Sequence, residues 1–134
     1  MPRLIKPATS SETDFLPNVL RIAALAADRK AVDIRAYDMR DVTPLADCFL
    51  LCSATSEPHF RAIFNGIREG MKEIGVAPAS SEGEFGGQWL LLDYSTIFVH
   101  IFREAAREFY DLDGFWGDAP RIELDLDQPV LKGL

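Results

Sequence analysis

The feature that most constrains the fold of this 134-residue chain is the join between residues 49 and 75. The run Phe49 to Cys52 is apolar at every position, which predicts a strand covered on both faces, as in an α/β layer. A few residues later Ser56 can cap a helix with Pro58 in its first turn. Phe60, Ile63, Phe64, Ile67, Met71 and Ile74 then trace one apolar face up to Gly75. Gly66 and Gly70 each weaken that helix by about 1 kcal/mol relative to Ala, which points to close packing at those positions. A doubly covered strand feeding an amphipathic helix needs a sheet with helices against it.

The rest of the chain supplies those layers. Phe15 to Lys30 repeats Leu16, Val19, Leu20, Ala23 and Ala27 at helical spacing, with Asp14 placed to cap it and Pro17 in the first turn. Val32, Ile34 and Ala36 alternate against Asp33, Arg35 and Tyr37, the pattern of a half-buried strand. After a Ser- and Gly-rich loop, Ser80 to Gly87, the runs Trp89 to Leu92 and Ile97 to Phe102 are close enough to form an antiparallel hairpin. A short helix is expected over Glu104 to Tyr110, and an edge strand at Ile122 to Leu126. The fold class is therefore α/β, of the mixed α+β kind: one domain, a mixed sheet of about five strands flanked by helices. Residues 1–13 read as a loose lead-in, 14–127 as the domain and 128–134 as a tail.

Composition excludes several roles. No window holds the roughly 18 consecutive apolar residues of a membrane span, and a basic leader followed by an apolar run is missing, so a cytoplasmic protein without a membrane partner is expected. Cys48 and Cys52 sit four residues apart on a strand, roughly 13 Å between alpha carbons, too far for a disulfide or a shared metal. They read as two buried thiols. The net charge is −7, and residues 104–127 carry eight acids against two bases, a local net of −6. Phosphate repels such a chain, so independent nucleic-acid binding is not expected; the acids are open to two readings, a basic protein partner or a simply solvated surface.

The search for chemistry yields little. Asp47 and Asp93 border strands, where paired carboxylates can hold a divalent cation, yet no Asp-x-Asp joins them on one strand. Gly83 to Gly87 precedes a strand and not the helix that a phosphate loop requires. His59 and His100 are the only imidazoles and share no zinc spacing. No catalytic residue, metal ligand or cofactor site is assigned. The last third is instead rich in aromatics interleaved with acids: Trp89, Tyr94, Phe98, Phe102, Phe109, Tyr110, Phe115 and Trp116. Core packing accounts for about half of them, and Tyr and Trp beside charges also favour protein-binding surfaces.

The block WLLLDYSTIFVHIFREAAREFYDLDGFWGDA resembles the C-terminal signature of the RsfS/Iojap family of ribosomal silencing factors. It does so through Trp89, Leu91, Asp93, Tyr94, Val99, His100, Phe102, Arg107, Phe109, Tyr110, Leu112, Asp113, Trp116, Asp118 and Ala119. Upstream, Asp47, Phe49, Ser56, His59, Ala62 and Ile63 fit the family's second segment. Asp113 stands where Glu is usual, Phe115 where Leu is, and Ala54 where Gly is common. The resemblance implies a nucleotidyltransferase-like fold without the active site. It further implies a partner, ribosomal protein fourteen of the large ribosomal subunit, whose occupation blocks subunit joining and represses translation when nutrients run short. The residues expected to bind that partner are Trp89, Asp93, Tyr94, His100, Tyr110, Asp113 and Trp116. Two other roles stay open at this point, a large-subunit assembly factor and a metal-dependent nucleotidyltransferase. Oligomeric state is also open, a homodimer of the free protein being compatible with the family and with exposed aromatics.

Overall fold

A computed structural model describes residues 15–124 and 126. Strands β1 (Val32–Asp38), β2 (Cys48–Ala54), β3 (Ser80–Glu82), β4 (Trp89–Asp93) and β5 (Ile97–Arg103) form one mixed sheet in the order β1-β2-β5-β4-β3. Helices α1 (Leu16–Asp28), α2 (Glu57–Lys72), α3 (Glu104–Tyr110) and the single turn α4 (Leu112–Phe115) complete the described residues. At the centre β2 runs parallel to β5, from Cys48 opposite Ile97 to Ala54 opposite Arg103, and the other pairings are antiparallel. The expected lead-in and tail, and the capping role given to Asp14, lie outside the described residues.

One face of the sheet is sealed by α1 and α2. Cys48, Leu50, Cys52 and Ala54 of β2 point into it with Ile97, Val99 and Ile101 of β5 and Leu90 and Leu92 of β4. Both thiols are buried and free, and burial pushes each up to about 12, so neither is a reactive thiolate at neutral pH. Helix α2 buries the expected residues from Phe60 to Met71, and the Ser56 hydroxyl accepts from the His59 N–H at 3.2 Å. Helix α1 is rotated from the expected face: Ile22, Leu25 and Ala26 are buried, while Leu20 is 38% exposed. Its apolar stripe must meet both the sheet and α2, so it is wider than the pattern of Leu16, Val19, Leu20 and Ala23. His59 joins the two helices. Its Nδ1 accepts the Thr55 N–H at 3.0 Å and its Nε2–H donates to the Arg29 carbonyl at 2.8 Å.

Three expectations need correction. The fifth strand is Ser80–Glu82, inside the expected loop, pairing with the outer edge of β4. Its residues are all exposed, so no apolar alternation marks it. The edge strand expected at Ile122 to Leu126 reduces to one bridge, Tyr37 with Arg121, made by the bonds from Asp38 N–H to Pro120 O and from Ile122 N–H to Ala36 O; Asp125 lies outside the described residues. Strand β1 is not half-buried throughout, because Tyr37 on its second face is only 2% exposed, packed beside Met39, Leu51 and Phe102. No described helix is long and apolar enough to cross a membrane.

The helical glycines mark where α1 meets α2. A Cβ on Gly70 would lie 2.2 Å from a Leu25 methyl, and one on Gly66 would lie 2.9 Å from the flexible Arg29 side chain. We expect Gly70→Ala to lower stability by about 1–2 kcal/mol, overpacking outweighing the helical gain. Gly66→Ala should be neutral or stabilising by up to about 1 kcal/mol, since Arg29 can swing aside. Urea titrations of the two variants check this contrast.

Candidate docking surface

The second face of the sheet is only partly covered. Strand register places Phe49, Leu51 and Ser53 of β2 on it, level with Phe98, His100 and Phe102 of β5, and Asp93, Leu91 and Trp89 of β4 continue those rows. Helices α3 and α4 cross one end and leave the remaining rings in mutual contact. Trp89 lies 4.8 Å from Phe102 and 4.9 Å from Tyr110, centroid to centroid. Phe49 lies 4.9 Å from His100 and 5.9 Å from Trp116. Phe109 (80% exposed), Phe115 (73%) and Tyr110 (49%) project from the α3–α4 corner. Ring pairs at these separations favour tilted and edge-to-face contacts, which hold the surface rigid while leaving apolar area in water.

A buried arginine fixes that corner. Arg107 in α3 donates from Nε to Asp113 Oδ2 at 2.9 Å and from Nη2 to Asp113 Oδ1 at 3.1 Å. Its Nη1 donates to the Asp33 carbonyl at 2.6 Å and to the Ser53 hydroxyl at 3.0 Å. The Asp33 carbonyl is available because β1 carries an irregularity between Val32 and Arg35, where Asp33 takes φ 52°. The Tyr37 hydroxyl also donates to Asp113, at 2.9 Å. Burial alone would raise the Asp113 carboxyl, but the Arg107 guanidinium, helped by Tyr37 and Arg35, holds it below the ordinary carboxylate range. Between α3 and α4, Asp111 turns the chain in the left-handed conformation and its carboxylate accepts from the Gly114 N–H at 3.1 Å.

Of the seven residues expected from sequence, Trp89, His100, Tyr110 and Trp116 converge on this surface. Asp93 sits at its edge opposite Phe98, its carboxylate accepting the Ser95 N–H at 2.7 Å and so shaping the β4–β5 turn. Asp113 lies behind the aromatic corner, committed to Arg107. Tyr94 is apart: it packs in the core on the helical side of the sheet, 8% exposed, with a hydroxyl that has no partner among the described residues. The sequence reading missed Phe49, whose strand looks like pure core, and noted Phe98, Phe109 and Phe115 among the aromatics without assigning them to the partner. Of the eight aromatics of the last third, Tyr94 and Phe102 are buried, fewer than the half assigned to the core. His100 is 6% exposed; the Trp89 Nε1–H donates to its Nδ1 at 3.1 Å, and burial pushes the imidazole down to about 4. Its Nε2 is buried without a partner among the described residues, a state that typically costs about 1–3 kcal/mol.

Residues 12–132 match the sequence profile of the family described as ribosomal silencing factor during starvation. The chain belongs to that family. It is 38% identical over 109 residues to ribosomal silencing factor RsfS of Bacillus subtilis, an overlap of 81% of this chain and 92% of the relative. It is 32% identical over 116 residues to the chloroplastic protein Iojap of Zea mays, covering 87% of this chain and 50% of that protein. Among solved structures, a Chromobacterium violaceum protein superposes with a TM-score of 0.68 at 32% identity, covering 82% of this chain and 92% of the other. The mixed five-stranded sheet described above is thus the silencing-factor fold, and its half-covered face lies in the signature block.

In this silencing-factor fold the corner depends on Arg107. Its truncation to Ala should cost about 3 kcal/mol or more, since it leaves Asp113 and Ser53 half-satisfied. Because the Asp113 value is depressed on folding, its contribution is present above its unfolded value of about 4 and is lost as pH falls through the lower folded one. Asp113→Asn should therefore destabilise the protein near pH 7, and the gap to the parent should close as pH drops below about 4. Thermal melts of both proteins across pH 2–7 read this directly.

Proposed function

We propose that the chain docks through its half-covered aromatic face onto ribosomal protein fourteen of the large ribosomal subunit, and that this occupancy blocks subunit association in the cytoplasm. Translation is then repressed under nutrient limitation. The reading rests on one observation above all: rings from β2, β4, β5 and the α3–α4 corner converge on the single sheet face that the helices leave open, in a member of the ribosomal silencing factor family. The rim supports a basic partner. Glu104, Glu108, Asp111 and Asp118 are all exposed around α3 and α4, and like-signed phosphate is repelled there while a basic protein surface is attracted.

Action by occupancy and not by turnover fits the same geometry. Of Asp47 and Asp93, the carboxylates best placed by sequence for a cation, the first precedes β2 and the second ends β4, with β5 between those strands, and Asp93 spends an oxygen on its own turn.

Sedimentation of the purified protein with separated subunits tests the proposal. Co-sedimentation with large subunits, and not with small subunits or naked ribosomal RNA, is expected; equal binding to free RNA would contradict it. Tyr110→Ala should weaken large-subunit binding by about 2 kcal/mol or more, chiefly through faster dissociation, with little change in melting temperature because the ring is half exposed. Asp118→Asn should instead slow association and flatten its salt dependence, costing about 1 kcal/mol or less at physiological salt.

A further inference from the structure

The two most exposed rings of the described residues stand on the α3–α4 corner, Phe109 at 80% and Phe115 at 73%. Phe109 meets Tyr110 at 5.1 Å with planes 85° apart, and Phe115 meets Trp116 at 4.6 Å with planes 74° apart. An edge-to-face contact engages one edge or one face of a ring, so at these exposures each phenylalanine keeps an electron-rich face in water. The charges around them are of one sign. From Glu104 to Asp118 the exposed charged side chains are Glu104, Glu108, Asp111 and Asp118, all acids, while the one base, Arg107, is buried and committed to Asp113, Ser53 and the Asp33 carbonyl. Glu108 directly precedes Phe109, and Asp111 lies one turn before Phe115, whose N–H donates to the Asp111 carbonyl at 3.0 Å. Elsewhere the chain lays its own cations on rings: Arg40 over Phe15 at 5.1 Å, Arg61 over Phe85 at 4.4 Å and Arg68 over Phe64 at 5.7 Å. No described residue does so at Phe109 or Phe115.

We propose that Phe109 and Phe115 are cation receptors of the docking face, each taking an arginine or lysine side chain of the bound protein over its ring, with Glu108 and Asp111 as counter-charges. This rests on the docking reading above and names the contacts by which the corner chooses its partner. A purely apolar partner fits worse. Pressed onto these rings, it strips water from the surrounding carboxylates and returns nothing for their lost hydration. A cation on an apolar stem meets both needs: its methylenes cover the ring, its charge sits over the face, and the carboxylates supply the opposite sign. Arginine fits best, because a guanidinium lies flat on a ring and still presents its edge to a carboxylate. An anionic partner is repelled twice, by the ring faces and by the acids.

Changing the electronics of the rings without their bulk separates this role from plain apolar contact. Pentafluorophenylalanine in place of either phenylalanine keeps an apolar ring of similar size and reverses its charge distribution. With purified large subunits as the probe, that replacement at position 109 or at position 115 should weaken binding about fivefold or more. Phe109→Leu, apolar but without a ring face, should lose as much, and Phe109→Tyr, which keeps the face, should stay within about threefold of the parent. Both positions are exposed, so the melting temperature should hold in every variant, and thermal melts check this. Each ring is judged by its own variant: parent-like binding by a folded pentafluoro protein would overturn the assignment for that ring. Tighter binding would overturn it too, since it would place an anionic group over the face. If fluorination leaves subunit binding intact but abolishes self-association of the free chain, the cation belongs to a second copy and the assignment also fails. A parent protein that binds no large subunits would instead remove the docking reading itself, a result distinct from parent-like binding by the fluorinated chains.

Discussion

The guanidinium of Arg107 ties together by polar bonds parts of the chain that otherwise meet only in the small apolar cluster of Tyr37, Met39, Leu51, Phe102, Ala106 and Ala119. It spans the Asp113 carboxylate beyond the α3–α4 turn, the Ser53 hydroxyl on the central strand and the Asp33 carbonyl on the edge strand. Both α3 and α4 are too short to be stable alone, and α4 buries none of its residues. The bidentate pair with Asp113 supplies the direction that apolar packing cannot, because its planar fork accepts one orientation of the corner. Buried ion pairs contribute modestly to net stability, but breaking one is costly, so the arrangement secures geometry more than free energy.

From that anchor the asymmetry of the sheet follows. Two long helices bury the central strands of one face, with Leu50, Cys52, Val99 and Ile101 each 0% exposed. The other face receives only two short helices, and its apolar side chains divide between a packed base, Phe102 and Leu51, and exposed tips, Phe109, Phe115 and Tyr110. A large aromatic surface on a rigid sheet, rimmed by acids, loses little side-chain freedom when a partner covers it. That is the physical case for a docking surface, and it is independent of the family name.

Much of the fold was legible because periodicity is a local signal. The capped helix from Ser56, the fully apolar β2 and the β4–β5 hairpin all announce themselves in consecutive residues. What escaped depends on distant neighbours. Ser80–Glu82 is a strand only because β4 offers it an edge, Tyr37 is buried in a cluster with Leu51, Phe102, Ala106 and Ala119 from elsewhere in the chain, and Leu20 faces water because α2 claims the other side of α1. The site was legible in composition, through Trp89, Tyr110 and Trp116, but not in assignment. Tyr94 follows Asp93 directly, so strand alternation sends it to the opposite side of the sheet, and Asp113 reads as a surface acid until Arg107 is seen beside it.

Membership of the ribosomal silencing factor family and the exposed rings of the half-covered face lead to one central claim: this face, and not the helical one, meets the ribosome. Hydroxyl-radical footprinting of the chain, free and bound to purified large subunits, tests it at side-chain resolution. Labelling should fall sharply at Phe109, Tyr110, Phe115 and Trp116 and stay unchanged at Leu20 and at the exposed side of α2. Undiminished labelling of the four aromatics in the bound state, or protection confined to α1 and α2, would contradict the account.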